Sequence, residues 1–249
     1  EYTFHTIIDG KIPWFFIGLI GIFGLFSNRI FCGWVCPTGF IQDLFAGLAG
    51  DSTKKMKIET DQDLKRFKFV LLVVWLIIFV PLGVLATTNP EQFSRYADAL
   101  GQLFEKPIWP LSLSEFIFVS FPDIVQSIYE TSEIGPVFGG LSSLQIVVLV
   151  IYFIVLIISV FWPRFYCRVG CPYGAVISIF SRNSLLKLRR MPTRCPGRKD
   201  CGVCETVCPM QIRILDEPFD GFTGKGECIL CLECMEQCPH DAIKWKFGV

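Results

Sequence analysis

Histidine is almost missing from this chain: His5 and His240 are the only two in 249 residues. There is no Cys-x2-Cys-His run, so the pattern that attaches c-type haem is absent and haem is disfavoured. A surplus of positive charge is also missing. Lys plus Arg and Asp plus Glu both number 23, for a net charge of zero, which argues against nucleic acid as a partner. No acid–base pair or activated nucleophile stands out, so bond-making chemistry is expected in a partner and not in this chain. No basic stretch precedes the first apolar run and no small-residue cleavage site follows it, so no secretory signal is read. The chain opens on Glu1 and not on Met, and residues ahead of it are expected.

Charge is absent over three long stretches, residues 12–28, 69–90 and 134–163, in a chain that is 52% hydrophobic with mean hydropathy +0.50. That is too apolar for an ordinary soluble domain. Three transmembrane helices are expected, near 12–30, 67–89 and 141–163. In the first, Gly18, Gly21 and Gly24 recur at every third position. Small residues there allow helices to approach closely or leave room for a cofactor, and packing is the expected reason. Pro81 should kink the second span. Residues 51–66 are highly charged and expected in solvent. Residues 107–121 carry Trp109, Phe116, Phe118 and Phe121 but are broken by Pro110 and Glu115. Membrane anchoring at the interface is expected there, with a quinone pocket or partner surface as the alternative.

What the chain has in quantity is cysteine, twelve in all, eight of them between Cys195 and Cys238. The order is Cys195-x5-Cys201-x2-Cys204-x3-Cys208-Pro209, then Cys228-x2-Cys231-x2-Cys234-x3-Cys238-Pro239. Three thiolates on one tight loop reach three irons of a 4Fe–4S cube, and the fourth iron needs a ligand from elsewhere. In the bacterial two-cluster arrangement the last cysteine of each run supplies it to the other cluster. The expected sets are therefore Cys195, Cys201, Cys204 and Cys238 for one cluster, and Cys208, Cys228, Cys231 and Cys234 for the other. Zinc sites pair two distant Cys-x2-Cys motifs without a trailing proline, and disulfide frameworks suit small secreted domains. Residues 193–247 resemble bacterial dicluster ferredoxins. Cys195 departs from the usual spacing, by a longer loop or by a lost ligand.

The remaining four cysteines form a second pattern. Phe31-Cys32-x3-Cys36-Pro37-Thr38-Gly39 and Tyr166-Cys167-x3-Cys171-Pro172-Tyr173-Gly174 share one form, each after an apolar span and each opening a helix. Internal repeats in membrane folds often put a shared site at their interface. Two such turns facing each other would gather four thiolates, the ligand set of a 2Fe–2S or 4Fe–4S cluster. Disulfides or free thiols are the alternatives. Tracing three spans puts all twelve cysteines on one face and residues 91–140 on the other. Lys54, Lys55, Lys57, Lys65, Arg66, Arg164, Arg168, Arg182, Lys187, Arg189 and Arg190 lie on the cysteine face, against Arg95 and Lys106 opposite. The positive-inside rule then makes the cysteine face cytoplasmic.

The fold class expected is an α-helical integral membrane domain with an internal repeat over residues 1–190, followed by a small α+β dicluster ferredoxin-like domain over 191–249. The two Cys-x3-Cys-Pro motifs together with this C-terminal module resemble the NapH-type and NosR-type membrane iron–sulfur proteins. That resemblance implies an electron-transfer subunit with a fourth transmembrane helix ahead of the chain, while the cysteine patterns themselves give two 4Fe–4S clusters and a third centre at Cys32, Cys36, Cys167 and Cys171 in a multi-pass protein of the cytoplasmic membrane. It also implies partner subunits of a membrane oxidoreductase complex and a link to quinone. The alternatives carried are a metal-handling or oxidase-maturation reductase related to copper-reductase assembly proteins, and a redox sensor controlling transcription.

Overall fold

A computed structural model describes residues 14–50, 55–101, 109–131 and 143–248. Helix α1 (Trp14–Ser27) leads through Asn28 and Arg29 into the short α2 (Ile30–Trp34) and then α3 (Pro37–Ala49). The long α4 (Ile58–Thr88) is followed by α5 (Pro90–Leu100). A 3-10 turn at Trp109–Leu111, a helical turn at Leu113–Glu115 and a π-helical turn at Phe116–Ser120 run into α6 (Phe121–Thr131). Then come α7 (Ser143–Phe161), α8 (Phe165–Val169) and α9 (Pro172–Ser181).

Among the described residues, two stretches are long and apolar enough to cross a membrane, Ile58–Leu85 within α4 and Leu144–Phe161 within α7. Their large side chains stay exposed, among them Val70, Val73, Ile77, Val84, Val147, Ile151 and Ile154. A helix that is apolar on its exposed sides suits lipid and not water. The first expected span begins in residues outside those described, and the part described is the 14-residue α1. Gly21 and Gly24 let α1 lie against Phe180 of α9, whereas Gly18 faces open space.

Helix α4 runs unbroken through Pro81. At about 1.5 Å per residue its 31 residues measure about 46 Å, well beyond a hydrocarbon core of about 30 Å. The excess is its polar start, which is largely exposed as expected, with Asp61 as the exception. Asp61 is buried, because it pairs with Arg168 and with Lys65.

Residues 109–120 also depart from expectation. They do not all remain on the far face but reach inward to the second cysteine turn. Tyr166 donates its hydroxyl to the Leu111 carbonyl, Leu113 N–H donates to that hydroxyl at 3.3 Å, and Tyr152 donates to the Pro110 carbonyl at 3.0 Å. Leu113 and Phe116 are buried against Tyr152 and Tyr166. Buried irregular backbone needs partners for its polar groups, and here two tyrosines supply them.

The C-terminal module is built on a two-stranded antiparallel sheet, β1 (Leu186–Arg190) against β2 (Ile243–Phe247), with Leu186 opposite Phe247 and Arg190 opposite Ile243. The module thus draws its first strand from residues ahead of the expected boundary at 191. Short helices α10 (Val203–Val207) and α11 (Glu233–Glu236) carry the cysteine loops. Leu188, Met210, Ile212, Ile214, Phe222, Ile229, Leu230 and Ile243 form its core.

Candidate iron–sulfur sites

Two cavities in the module are lined by cysteine. Cys195, Cys201, Cys204 and Cys238 line one, with Arg190, Val203, Leu215 and His240 among the other lining residues. Cys208, Cys228, Cys231 and Cys234 line the other, amid Leu188, Met210, Ile212, Phe222 and Ile229. The four-and-four division is the one the crossed-ligand pattern predicts. Cys195, the residue with unusual spacing, lines the first cavity with its three partners. The extra loop residues include Gly197, at φ +90°, a backbone conformation that glycine adopts without strain.

Burial raises several of these thiols. Cys204 is pushed up to about 11 and Cys228 to about 12, burial being the main cause in both. Backbone N–H groups nevertheless aim at sulfur: Ile212 N–H lies 3.5 Å from Cys208 Sγ and Ala242 N–H 3.4 Å from Cys238 Sγ. Among the described residues, no three Cys, His, Asp or Glu side chains gather tightly enough to hold a single metal ion. Sets of four thiols spread round an apolar cavity fit a multi-iron cluster, whose irons sit apart and each take one thiolate.

The two Cys-x3-Cys-Pro turns share their backbone pattern. In the first, Val35 N–H and Cys36 N–H both donate to the Phe31 carbonyl, at 3.0 and 2.9 Å. In the second, Gly170 N–H and Cys171 N–H both donate to the Tyr166 carbonyl, at 2.8 and 3.0 Å. Cys36 and Cys171 are extended N-caps with Pro37 and Pro172 opening the next helix. Proline suits that position because its missing N–H would be unpaired there anyway.

The turns also grip each other. Arg164, just ahead of the second turn, donates to the Cys32 carbonyl at 3.0 Å and the Gly33 carbonyl at 3.2 Å, and pairs with Asp43. Arg29, in the matching place ahead of the first turn, lies against Gly174 of the second. Gly39 in turn lies against the Arg164 guanidinium, and a side chain at either glycine would strike its neighbours. Gln42 completes the link. It is fully buried, its Oε1 accepts from Tyr166 N–H at 3.0 Å, and its Nε2 donates to Cys167 Sγ at 3.1 Å.

Cys167 is raised first by burial and then by the charges of Cys171, Cys36 and Cys32 beside it. Cys171, pushed up to about 11 mainly by burial, feels Cys32 and Cys36 in the same way. The two turns therefore lie against each other, bridged by Arg164 and Gln42. None of the twelve cysteines is in a disulfide.

The module rests on the first turn. Gly33 packs so closely on the Ile229 carbonyl that a methyl group there would collide with it, and Trp34 donates its indole N–H to the Leu230 carbonyl at 2.9 Å. Glu227, next to Cys228, pairs with Arg29 at 2.6 Å and Lys68 at 2.5 Å. Burial opposes its ionisation, but those two cations hold its carboxyl below the usual range. Sequence reading missed Arg29, Lys68, Gln42, Asp61, Arg168 and Glu227. The available signal was an arginine three residues ahead of each Cys-x3-Cys-Pro, at Arg29 and Arg164.

A family model described as a 4Fe-4S binding domain matches residues 12–56 and 144–191, and a second of the same description matches 225–244. An uncharacterized protein of Methanocaldococcus jannaschii is 27% identical over 98% of this chain and 79% of its own length. The ferredoxin-type protein NapH of Haemophilus influenzae is 23% identical over 97% of this chain and 68% of its own. The regulatory protein NosR of Stutzerimonas stutzeri is 23% identical over 86% of this chain, which spans only 25% of NosR. No solved structure matches the chain. With two 4Fe–4S models, one on the paired turns and one on the C-terminal module, and these relatives along nearly the whole chain, the chain is similar to iron–sulfur proteins of the NapH and NosR type.

Proposed function

We propose that the chain relays electrons between a redox partner and the membrane through three iron–sulfur centres in sequence. The outer centre takes Cys195, Cys201, Cys204 and Cys238. The inner centre takes Cys208, Cys228, Cys231 and Cys234. The third, the turn centre, takes Cys32, Cys36, Cys167 and Cys171. When bound, such clusters supply reversible one-electron chemistry at potentials set by burial, charge and hydrogen bonds to sulfur. The residues of this chain do the rest. They fix the thiol sets, exclude water with apolar linings, and hold the module against the first turn.

One observation carries the reading: Gly33, bonded to Cys32, touches Ile229, bonded to Cys228. A thiol of the inner set and a thiol of the turn set are thus joined through one close contact. Arg164 spans the same gap, feeling the charge of both Cys167 and Cys231. The paired turns act as two halves of an internal repeat with their shared centre between them. The cysteine face is cytoplasmic, the chain crosses the membrane several times, and the final acceptor or donor is quinone or a partner subunit of an oxidoreductase complex. The experiment is metal analysis and electron paramagnetic resonance (EPR) of the whole protein in detergent. Three centres titrating separately are expected, and Cys201→Ser, Cys231→Ser and Cys36→Ser should each remove a different one. Loss of the same signal from all three variants contradicts the reading. Purification from membranes should also bring down an oxidoreductase, whereas recovery with an immature oxidase would favour a maturation role.

A further inference from the structure

We infer that each centre has its own buried arginine that sets its reduction potential: Arg190 for the outer, Arg168 for the inner and Arg29 for the turn centre. This rests on the ligation proposed above. All three guanidiniums are almost wholly buried, at 5%, 1% and 1% exposure. A buried cation is costly unless it is paired and its donors are satisfied. Among the described residues these three are incompletely satisfied.

Arg190 lines the outer cavity. Its NH2 donates to the carbonyls of Leu215 and Glu217 at 3.0 and 3.4 Å, and it stacks on the Phe219 ring. Its NH1 points to Cys195 Sγ at 3.7 Å, and its Nε has no partner. No carboxylate is among these contacts. Arg168 pairs with Asp61 and donates to Gln211 at 2.9 Å, and Gln211 N–H donates to the Cys208 carbonyl at 3.1 Å, which ties Arg168 to the inner set; among the described residues its Nε and NH1 have no partner. Asp61 is already shared with Lys65. Arg29 pairs with Glu227, which is shared with Lys68, and its Nε is unpartnered. It lies against Gly174, whose N–H reaches Cys171 Sγ at 3.3 Å, and it feels Cys32, Cys167 and Cys171.

The pattern repeats at each site. Two cations share one carboxylate at the inner and turn sets, and one cation has none at the outer set. At each, among the described residues, the arginine keeps at least one N–H without a partner. A thiolate-ligated cluster is the anion that would complete each site. Positive charge and N–H donors near sulfur stabilise the reduced form and raise the potential. Arg164 differs. Its donors go to Asp43 and to the Cys32 and Gly33 carbonyls, so it acts as a clamp.

The test is an EPR-monitored redox titration of the whole protein, with each signal assigned through Cys201→Ser, Cys231→Ser and Cys36→Ser. Arg190→Gln should lower the potential of the outer centre alone, Arg168→Gln that of the inner centre, and Arg29→Gln that of the turn centre most, with a smaller fall at the inner centre, whose Cys228 also feels Arg29. Arg→Lys at each place keeps the charge but loses the planar fork, so it should give a smaller downward shift. Where a Gln variant does not fold, the Lys variant decides. Potentials that stay put with iron content and signals intact overturn the inference, as do shifts of all three centres together. The unmutated protein separates the two levels. Fewer than three assignable signals would defeat the ligation itself.

Discussion

The two cysteine turns have the same hydrogen bonds and the same prolines, yet they face different neighbours. The residue after the first cysteine is Gly33 in one and Arg168 in the other. Gly33 has no side chain, and the ferredoxin-like module comes down onto its backbone. Arg168 instead reaches out to Asp61 and Gln211. The next position repeats the contrast: Trp34 donates to the module at Leu230, while its counterpart is Val169. The second turn is packed from the other side, where Tyr166 meets Tyr152 edge-on and Leu113 is buried against both. One motif therefore does two jobs. The first turn meets the module at Gly33 and Trp34, while the second reaches it through Arg168 and Gln211 and is also fastened into the helices.

The strongest way to break that contrast is to remove the carboxylate that ties the module to the first turn. Glu227→Gln leaves Arg29 and Lys68 buried without their anion, and breaking such a pair from one side costs about 3–5 kcal/mol. Thermal unfolding in detergent should show the loss as a lowered Tm. Next in size is Gly33→Ala. Overpacking at a closed contact costs about 1–3 kcal/mol, and here the extra methyl pushes the module away from the first turn. Iron content should hold while electron exchange between the inner and turn centres slows, as read by rapid-freeze EPR. Val169→Ala, at the second turn, should leave that exchange rate unchanged. The smallest effect is expected from Trp34→Phe, which forfeits one hydrogen bond worth about 0.5–1.5 kcal/mol. A modest gain in protease sensitivity of the module would report it.

The spacing of the eight C-terminal cysteines suggested two groups of four, and the structure sets those groups around two cavities. Even Cys195, with its odd spacing, lines the cavity of Cys201, Cys204 and Cys238. The lipid-exposed stretches of α4 and α7 were legible for a similar reason, since each is a long run without charge. What the sequence hid was pairing over distance. Asp61 sits in a charged stretch that looks solvated, and only its meeting with Arg168, more than 100 residues on, explains its burial. Strand β1 hid within a basic stretch because its partner β2 lies at the far end of the module. The inward reach of residues 109–120 depends on two tyrosine hydroxyls from α7 and α8, which no local pattern announces.

The central claim is that the two turns hold one centre. EPR spectra and iron content of Cys36→Ser, Cys171→Ser and the double variant test it most directly, in the whole protein with the module clusters as internal standard. Ligands of one site are not additive. Each single variant should therefore abolish the same signal and remove the same iron, and the double variant should do nothing further. If each single variant instead removes a separate part of the iron and the double removes both, the turns hold independent centres and the account is contradicted.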